Sequence, residues 1–108
     1  MPFESITPTE FAKRREEGWN PYVLDVRGPA ESAEAHLAFT DALEPHTSVT
    51  RIADKLPRDR DIVVYCRSGG RSAMACQVLN GMGFDRLHNL EGGMMGWSRE
   101  VGTDIEQG

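Results

Sequence analysis

The chain is poor in cysteine, in positive charge and in long apolar runs, and each shortage removes a class of protein. Only two cysteines, Cys66 and Cys76, occur in 108 residues. A segment of helical composition joins them and would hold them roughly 15 Å apart, too far for a disulfide. A disulfide-stapled secreted scaffold is therefore not expected. Twelve Lys and Arg face 17 Asp and Glu, a formal net charge of −5, which opposes any general affinity for the phosphates of nucleic acid. No apolar stretch approaches a membrane span or a secretory h-region, and Met1-Pro2-Phe3-Glu4 does not read as a signal. A soluble, cytoplasmic protein without membrane or nucleic-acid partners is the expectation. His36, His46 and His88 are scattered, and no Cys/His pair has zinc-ligand spacing, so neither a metal nor an organic cofactor is expected.

What the chain does have is concentrated at residues 62–73, Ile-Val-Val-Tyr-Cys-Arg-Ser-Gly-Gly-Arg-Ser-Ala. The β-branched and aromatic run Ile62 to Tyr65 has the character of a buried parallel strand, and Ala73 to Met82 has helical composition and spacing. Cys66 thus falls at a strand's carboxyl end, the edge at which open α/β sheets bind ligands and at which a starting helix presents unpaired N–H groups. A free thiol titrates near 8.5, and the thiolate is the nucleophile. Lowering the pKa by about 1.5 units takes about 2 kcal/mol, whereas a helix dipole supplies about 0.3–1 kcal/mol. Backbone amides and a fixed charge must supply the rest. Gly69 and Gly70 allow positive φ and an inward-curled nest of amides, Arg71 adds a charge that does not titrate, and Ser72 is placed to cap the helix.

With these residues in view, Cys66-Arg67-Ser68-Gly69-Gly70-Arg71-Ser72 resembles the active-site loop of the rhodanese family of sulfurtransferases. Leu24-Asp25-Val26-Arg27 resembles the family's second-strand signature, followed by Glu31 and His36 where an acidic residue and a histidine stand in that family. Gly83-Phe84-Asp85 and Leu90-Glu91-Gly92-Gly93-Met94-Met95-Gly96-Trp97 resemble its closing strand and last helix. The likeness runs from about Ile6 to Gly102. One stretch departs from it: after His36 the family continues with Ile-Pro-Gly-Ala, whereas this chain reads Leu37-Ala38-Phe39-Thr40-Asp41-Ala42-Leu43-Glu44-Pro45. That leaves the route into the third strand and the register of Ala42 to Glu44 open.

The alternation of elements predicts an α/β fold, one domain spanning residues 1–108 with a mostly parallel sheet of about five strands flanked by helices. Its core covers about residues 3–102, and the polar tail at 103–108 is expected to be frayed. Phe3 to Ile6 forms a first strand. Thr7 caps a helix from Pro8 to about Glu17, which Gly18 ends, and Tyr22 to Val26 follows as a strand. Short helices are expected near Ala30 to Ala35 and Thr50 to Leu56. In the helix after the loop, Ala75, Val78, Leu79 and Met82 make a stripe that faces the sheet, with Gly83 at its carboxyl end. Arg86 to Leu90 is the last core strand, and Met94 to Glu100 a final helix anchored by Trp97.

Several residues read better as structural than as functional. Cys76 is a small packing residue within a helix, His46 and His88 belong to the surface or to loops, and His36 matches a family position but looks structural. Asp25 and Arg27 could reach the site, yet ion pairing with Glu31 explains them as well. Met94 and Met95 offer either a soft apolar rim for sulfur substrates or core packing. Gly92 and Gly93 serve backbone geometry.

The resemblance implies a double displacement at Cys66. A sulfane sulfur moves from a small-molecule donor such as thiosulfate onto Cys66 as a persulfide, and then to cyanide or a thiol, with Arg67, Ser68, Gly69, Gly70, Arg71 and Ser72 holding the substrate. A persulfide carrier for a protein acceptor is an alternative use of the same loop. A cysteine-dependent phosphatase or arsenate reductase is a further one. Those enzymes place one more residue between cysteine and arginine, making a wider loop for a tetrahedral oxyanion, whereas here the spacing is four.

Overall fold

The computed structural model describes residues 3–108; Met1 and Pro2, part of the amino-terminal segment considered above, lie outside them. Five strands, β1 (Glu4–Ile6), β2 (Tyr22–Asp25), β4 (Ala42–Leu43), β5 (Ile62–Tyr65) and β6 (Leu87–Leu90), form one parallel sheet in the order β1-β6-β5-β2-β4. The expected architecture is therefore present. The sheet's centre is β5, flanked by β2 and β6 in the registers Leu24↔Val64 and Val64↔Asn89. Ile62 to Tyr65 are buried on both faces, which is why this strand reads as an unbroken apolar run.

Each face supports its own core. On one side Leu24, Val26, Ile62, Val64 and Cys66 pack with Ala75, Cys76 and Leu79 of α3 (Gly70–Gly81) and with Val49, Ala53 and Leu56. On the other, Val23, Val63, Tyr65 and Leu90 meet Phe11 of α1 (Pro8–Glu16) and Met94 and Trp97 of α4 (Gly93–Glu100). Trp97 sits edge-on to Phe11 and Phe39, an anchoring role that agrees with the expectation. Thr7 Oγ1 accepts the Glu10 N–H and starts α1. A short helix α2 (Pro29–Glu34) follows β2 and buries none of its residues.

Four local expectations need correction. The polar tail is not frayed: β7 (Ile105–Gln107) pairs antiparallel with β3 (Ala35–Leu37), Trp97 Nε1 donates to the Thr103 carbonyl, and Ile105 packs on the second core. Composition gave no hint of this, because the strand is held by backbone bonds to a distant segment. Secondly, Val78 and Met82 face solvent; the buried stripe of α3 is Ser72, Ala75, Cys76 and Leu79. The helix is turned so that Ser72 and Cys76 face the sheet. Thirdly, the segment expected as a helix at Thr50 to Leu56 is a 3₁₀ helix from His46 to Lys55, with a kink at Ser48. Lastly, His88 is buried on β6 beside Trp19 and Asp61, not in a loop. The open register at residues 42–44 resolves as Leu24↔Ala42 and Asp25↔Leu43, so β4 is the sheet's far edge.

Candidate active site

Strand β5 delivers Cys66 to the carboxyl edge of the sheet, and α3 begins four residues later. Gly69 is the turning point, with φ +106 and ψ −13 in the left-handed region that favours glycine. Gly70 does not take positive φ; it is already helical. The turn aims amides inward, and Cys66 Sγ accepts the Gly69 N–H at 3.0 Å. Ser72 is not the helix cap, since Gly69 occupies that position. Its hydroxyl lies instead 3.4 Å from Cys66 Sγ and bonds Asn89 Oδ1. Burial pushes the Cys66 thiol up, but the Ser72 hydroxyl and the amides of Ser72, Gly69 and Ser68 outweigh it and hold the thiol below its ordinary range.

The loop is held in place by two elements to which sequence reasoning assigned no such part. Asn89 of β6 accepts the Ser72 hydroxyl and donates Nδ2 to the Gly69 carbonyl at 3.2 Å. Its one sequence signal is an amide inside an otherwise closed strand. The second element is the start of α4, where the N–H groups of Met94 and Met95 donate to the carbonyls of Cys66 and Arg67 at 2.9 and 3.0 Å. Gly93, at φ +54, lies so close that an added Cβ would collide with the Cys66 carbonyl. Its role in backbone geometry is thus a matter of contact as well as of torsion.

The two arginines of the loop are not equivalent. Arg71 forms a bidentate pair with Glu31 of α2, both bonds 2.7 Å. That pair lowers the Glu31 carboxyl to about 2 and raises Arg71. Arg71 therefore does not present the free charge expected of it. Arg67 is exposed, with no ion-pair partner among the described residues. The expected pairing of Arg27 with Glu31 is replaced by a buried pair of Arg27 with Asp25, Nη2 to Oδ2 at 2.8 Å, and Arg27 also donates to the Ala35 carbonyl. Asp25 is committed to this pair, whereas Arg27 also borders the cleft beside the loop. Met94 is buried and Met95 exposed, so the two methionines divide between core and rim. An open cleft of about 680 Å³ adjoins the loop, bordered by Arg67, Glu31, Met95 and Arg99.

Cys76 lies in α3 without a polar partner among the described residues, and burial pushes its thiol up to about 12. It is a packing residue. Among the described residues no cluster of metal-ligating side chains occurs and no helix is long and apolar enough to cross a membrane. Chemically, the arrangement offers one thiol held below its ordinary range, amides directed at its sulfur and a cation at its edge.

Comparisons with known proteins bear on the family and the fold. A family model described as a rhodanese-like domain matches residues 7–100. A sulfurtransferase of Allochromatium vinosum is 42% identical over 77 residues, covering 71% of this chain and 71% of that protein. The thiosulfate sulfurtransferase GlpE of Ectopseudomonas mendocina is 28% identical over 98% of this chain and 94% of its own length. Among solved structures, a rhodanese-like domain protein from Staphylococcus aureus superposes with a TM-score of 0.82 at 27% identity, over 97% of this chain and 98% of that one.

Proposed function

The chain belongs to the rhodanese-like domain family of sulfurtransferases, and on that premise we propose that it moves a sulfane sulfur from thiosulfate or a similar donor to cyanide or a thiol through a persulfide on Cys66. The observation that carries the reading is the hold on Cys66 Sγ by the Gly69 amide and the Ser72 hydroxyl, in a loop with four residues between cysteine and Arg71. Such a ring stabilises a sulfur anion in a dry site, where fixed donors count for more than they do in water.

In the first half-reaction the Cys66 thiolate attacks the outer sulfur of the donor. A new S–S bond forms, the donor's own S–S bond breaks, and sulfite leaves with the bonding pair. Amides of residues 67–72 then hold the persulfide. In the second half-reaction the acceptor attacks the outer sulfur and Cys66 departs as thiolate, ready for another cycle. Arg67 is the cation free to meet the donor's sulfonate. Arg71 must share itself between that group and Glu31.

A two-substrate assay tests this directly. Sulfite should appear in one burst equivalent to the enzyme when thiosulfate is given alone, and thiocyanate should accumulate once cyanide is added. Parallel initial-rate lines are expected for a ping-pong cycle. Phosphate-ester hydrolysis without any sulfite burst would refute the reading. A carrier serving a protein acceptor would show the burst with slow turnover on small acceptors.

A further inference from the structure

Asn89 is a polar residue at a core position. It lies on β6 opposite Val64 of the central strand, buried, on the same strand face as Leu87, which packs in the core beneath α3. An amide there is costly unless both of its ends are bonded, and both are. Nδ2 donates to the Gly69 carbonyl at 3.2 Å, and the same carbonyl accepts the Ala73 N–H at 3.1 Å. Its two lone pairs are thereby taken, although the Ser72 hydroxyl also lies 3.2 Å away. Gly69 also fixes the direction of the amide, because an oxygen must face Nδ2 and Oδ1 is then left facing Ser72. The Ser72 hydroxyl thus has one proton and two acceptors open to it, Asn89 Oδ1 and Cys66 Sγ, the latter at 3.4 Å. Two other titratable groups lie within electrostatic reach of this sulfur, Arg71 and Cys76 of α3. Arg71 is held by Glu31 and Cys76 is an uncharged thiol at neutral pH, so neither follows the Ser72 proton.

We propose that Asn89 is a positioning residue for the Cys66 sulfur, its amide oxygen taking the Ser72 O–H while Sγ is uncharged and yielding it to Sγ when the sulfur carries charge. Sγ is charged before it attacks the donor and again as it leaves the persulfide. In the persulfide the charge sits on the outer sulfur, and the O–H turns back to Oδ1. No proton changes owner; one hydrogen bond changes direction. Such a device serves a sulfur that attacks in one half-reaction and departs in the other, since nucleophilicity falls with thiol pKa while departure improves. This use in turnover rests on the persulfide reading and deepens it, whereas the exchange between Oδ1 and Sγ does not depend on it.

The test is the pH profile of Cys66 alkylation by iodoacetamide. Asn89→Leu keeps the approximate shape, removes both polar ends and leaves the Gly69 carbonyl bonded to the Ala73 N–H. Its midpoint should fall by about 0.5–1 pH unit, because Sγ becomes the one acceptor open to the Ser72 proton. In a Ser72→Ala background the same substitution should move the midpoint by no more than about 0.2 unit, since the coupling runs through the hydroxyl. A residue that only braced the loop would raise the midpoint instead, with or without Ser72. That result, or no shift in either background, would overturn the assignment. A second reading needs no substitution at Asn89: in the unsubstituted protein the NMR signals of its carboxamide N–H groups should titrate together with Cys66, and should cease to do so in Ser72→Ala. Signals that stay flat through the Cys66 titration, or that move equally in Ser72→Ala, would overturn it as well. Coupling between Asn89 and Ser72 in a protein that loads no sulfur from thiosulfate would uphold the exchange and overturn the persulfide reading.

Discussion

Two cysteines ten residues apart, both buried, have thiols displaced in opposite directions. Cys66 is 1% exposed and Cys76 not at all, yet the first thiol is held below its ordinary range and the second is pushed up to about 12. Burial raises both. The difference is what surrounds the sulfur: Cys66 is met by the Gly69 amide and the Ser72 hydroxyl, whereas Cys76 faces the apolar core with Leu24, Val64 and Leu79. The displacement of the two thiols in this fold is therefore not a matter of exposure. It follows from the strand end, where the backbone stops pairing with its neighbours and turns its amides toward one atom.

Substitution of each sulfur should break the comparison most strongly. Cys66→Ser should lower transfer by roughly a thousandfold or more, because a serine hydroxyl stays protonated and is a far weaker nucleophile. Cys76→Ser should leave transfer near normal and reduce stability by about 1–2 kcal/mol through a buried hydroxyl, read as a shift in denaturation midpoint. Equal loss of transfer in both would erase the distinction.

Next in size is the support beneath the loop. Gly93→Ala places a methyl against the Cys66 carbonyl at positive φ, and should destabilise the fold by about 2–4 kcal/mol while slowing Cys66 alkylation. A variant with normal melting and normal alkylation would show that α4 does not shape the loop.

Ser72→Ala removes a hydroxyl whose one proton Asn89 Oδ1 and Cys66 Sγ share, and leaves the amides. Alkylation of Cys66 at neutral pH should slow by about two- to threefold, less than the worth of an undivided hydrogen bond of about 1 kcal/mol. Alkylation of Cys76 in the unfolded chain should not change.

The smallest effect concerns Glu31 and Arg71. Because the Glu31 carboxyl is lowered to about 2 in the fold, the pair contributes stability that is fully present above the unfolded carboxylate range. That contribution fades as pH falls from about 4.5 toward 2. Both side chains are about one-third exposed, so the contribution is modest. Denaturation midpoints of Glu31→Gln and the unsubstituted protein should converge as pH drops from 5 to 3, and a constant gap would contradict the pairing.

The local features of this design were legible in the residues themselves. Strand, cysteine, glycine turn and helix occur in one run from Ile62 to Met82, and Thr7 announces the cap of α1. The features that escaped depend on contacts across the chain. Asn89 meets Ser72 across 17 residues and Arg71 meets Glu31 across 40, so the same arginine that looked like a free cation is already paired. Val78 and Met82 misled for a related reason: their spacing marks one helix face, but the loop's demand for Ser72 at Cys66 rotates another face inward. The β3–β7 ladder was invisible because backbone bonds do not depend on side-chain pattern.

The most direct measurement is peptide-resolved mass spectrometry of the protein after thiosulfate, before and after cyanide. The expected result is one added sulfur atom on the peptide bearing Cys66, removed by cyanide, with the peptide bearing Cys76 unmodified. An unmodified Cys66, or sulfur carried equally by Cys76, would contradict the claim that the amide-lined strand end, and not the thiol alone, makes the site.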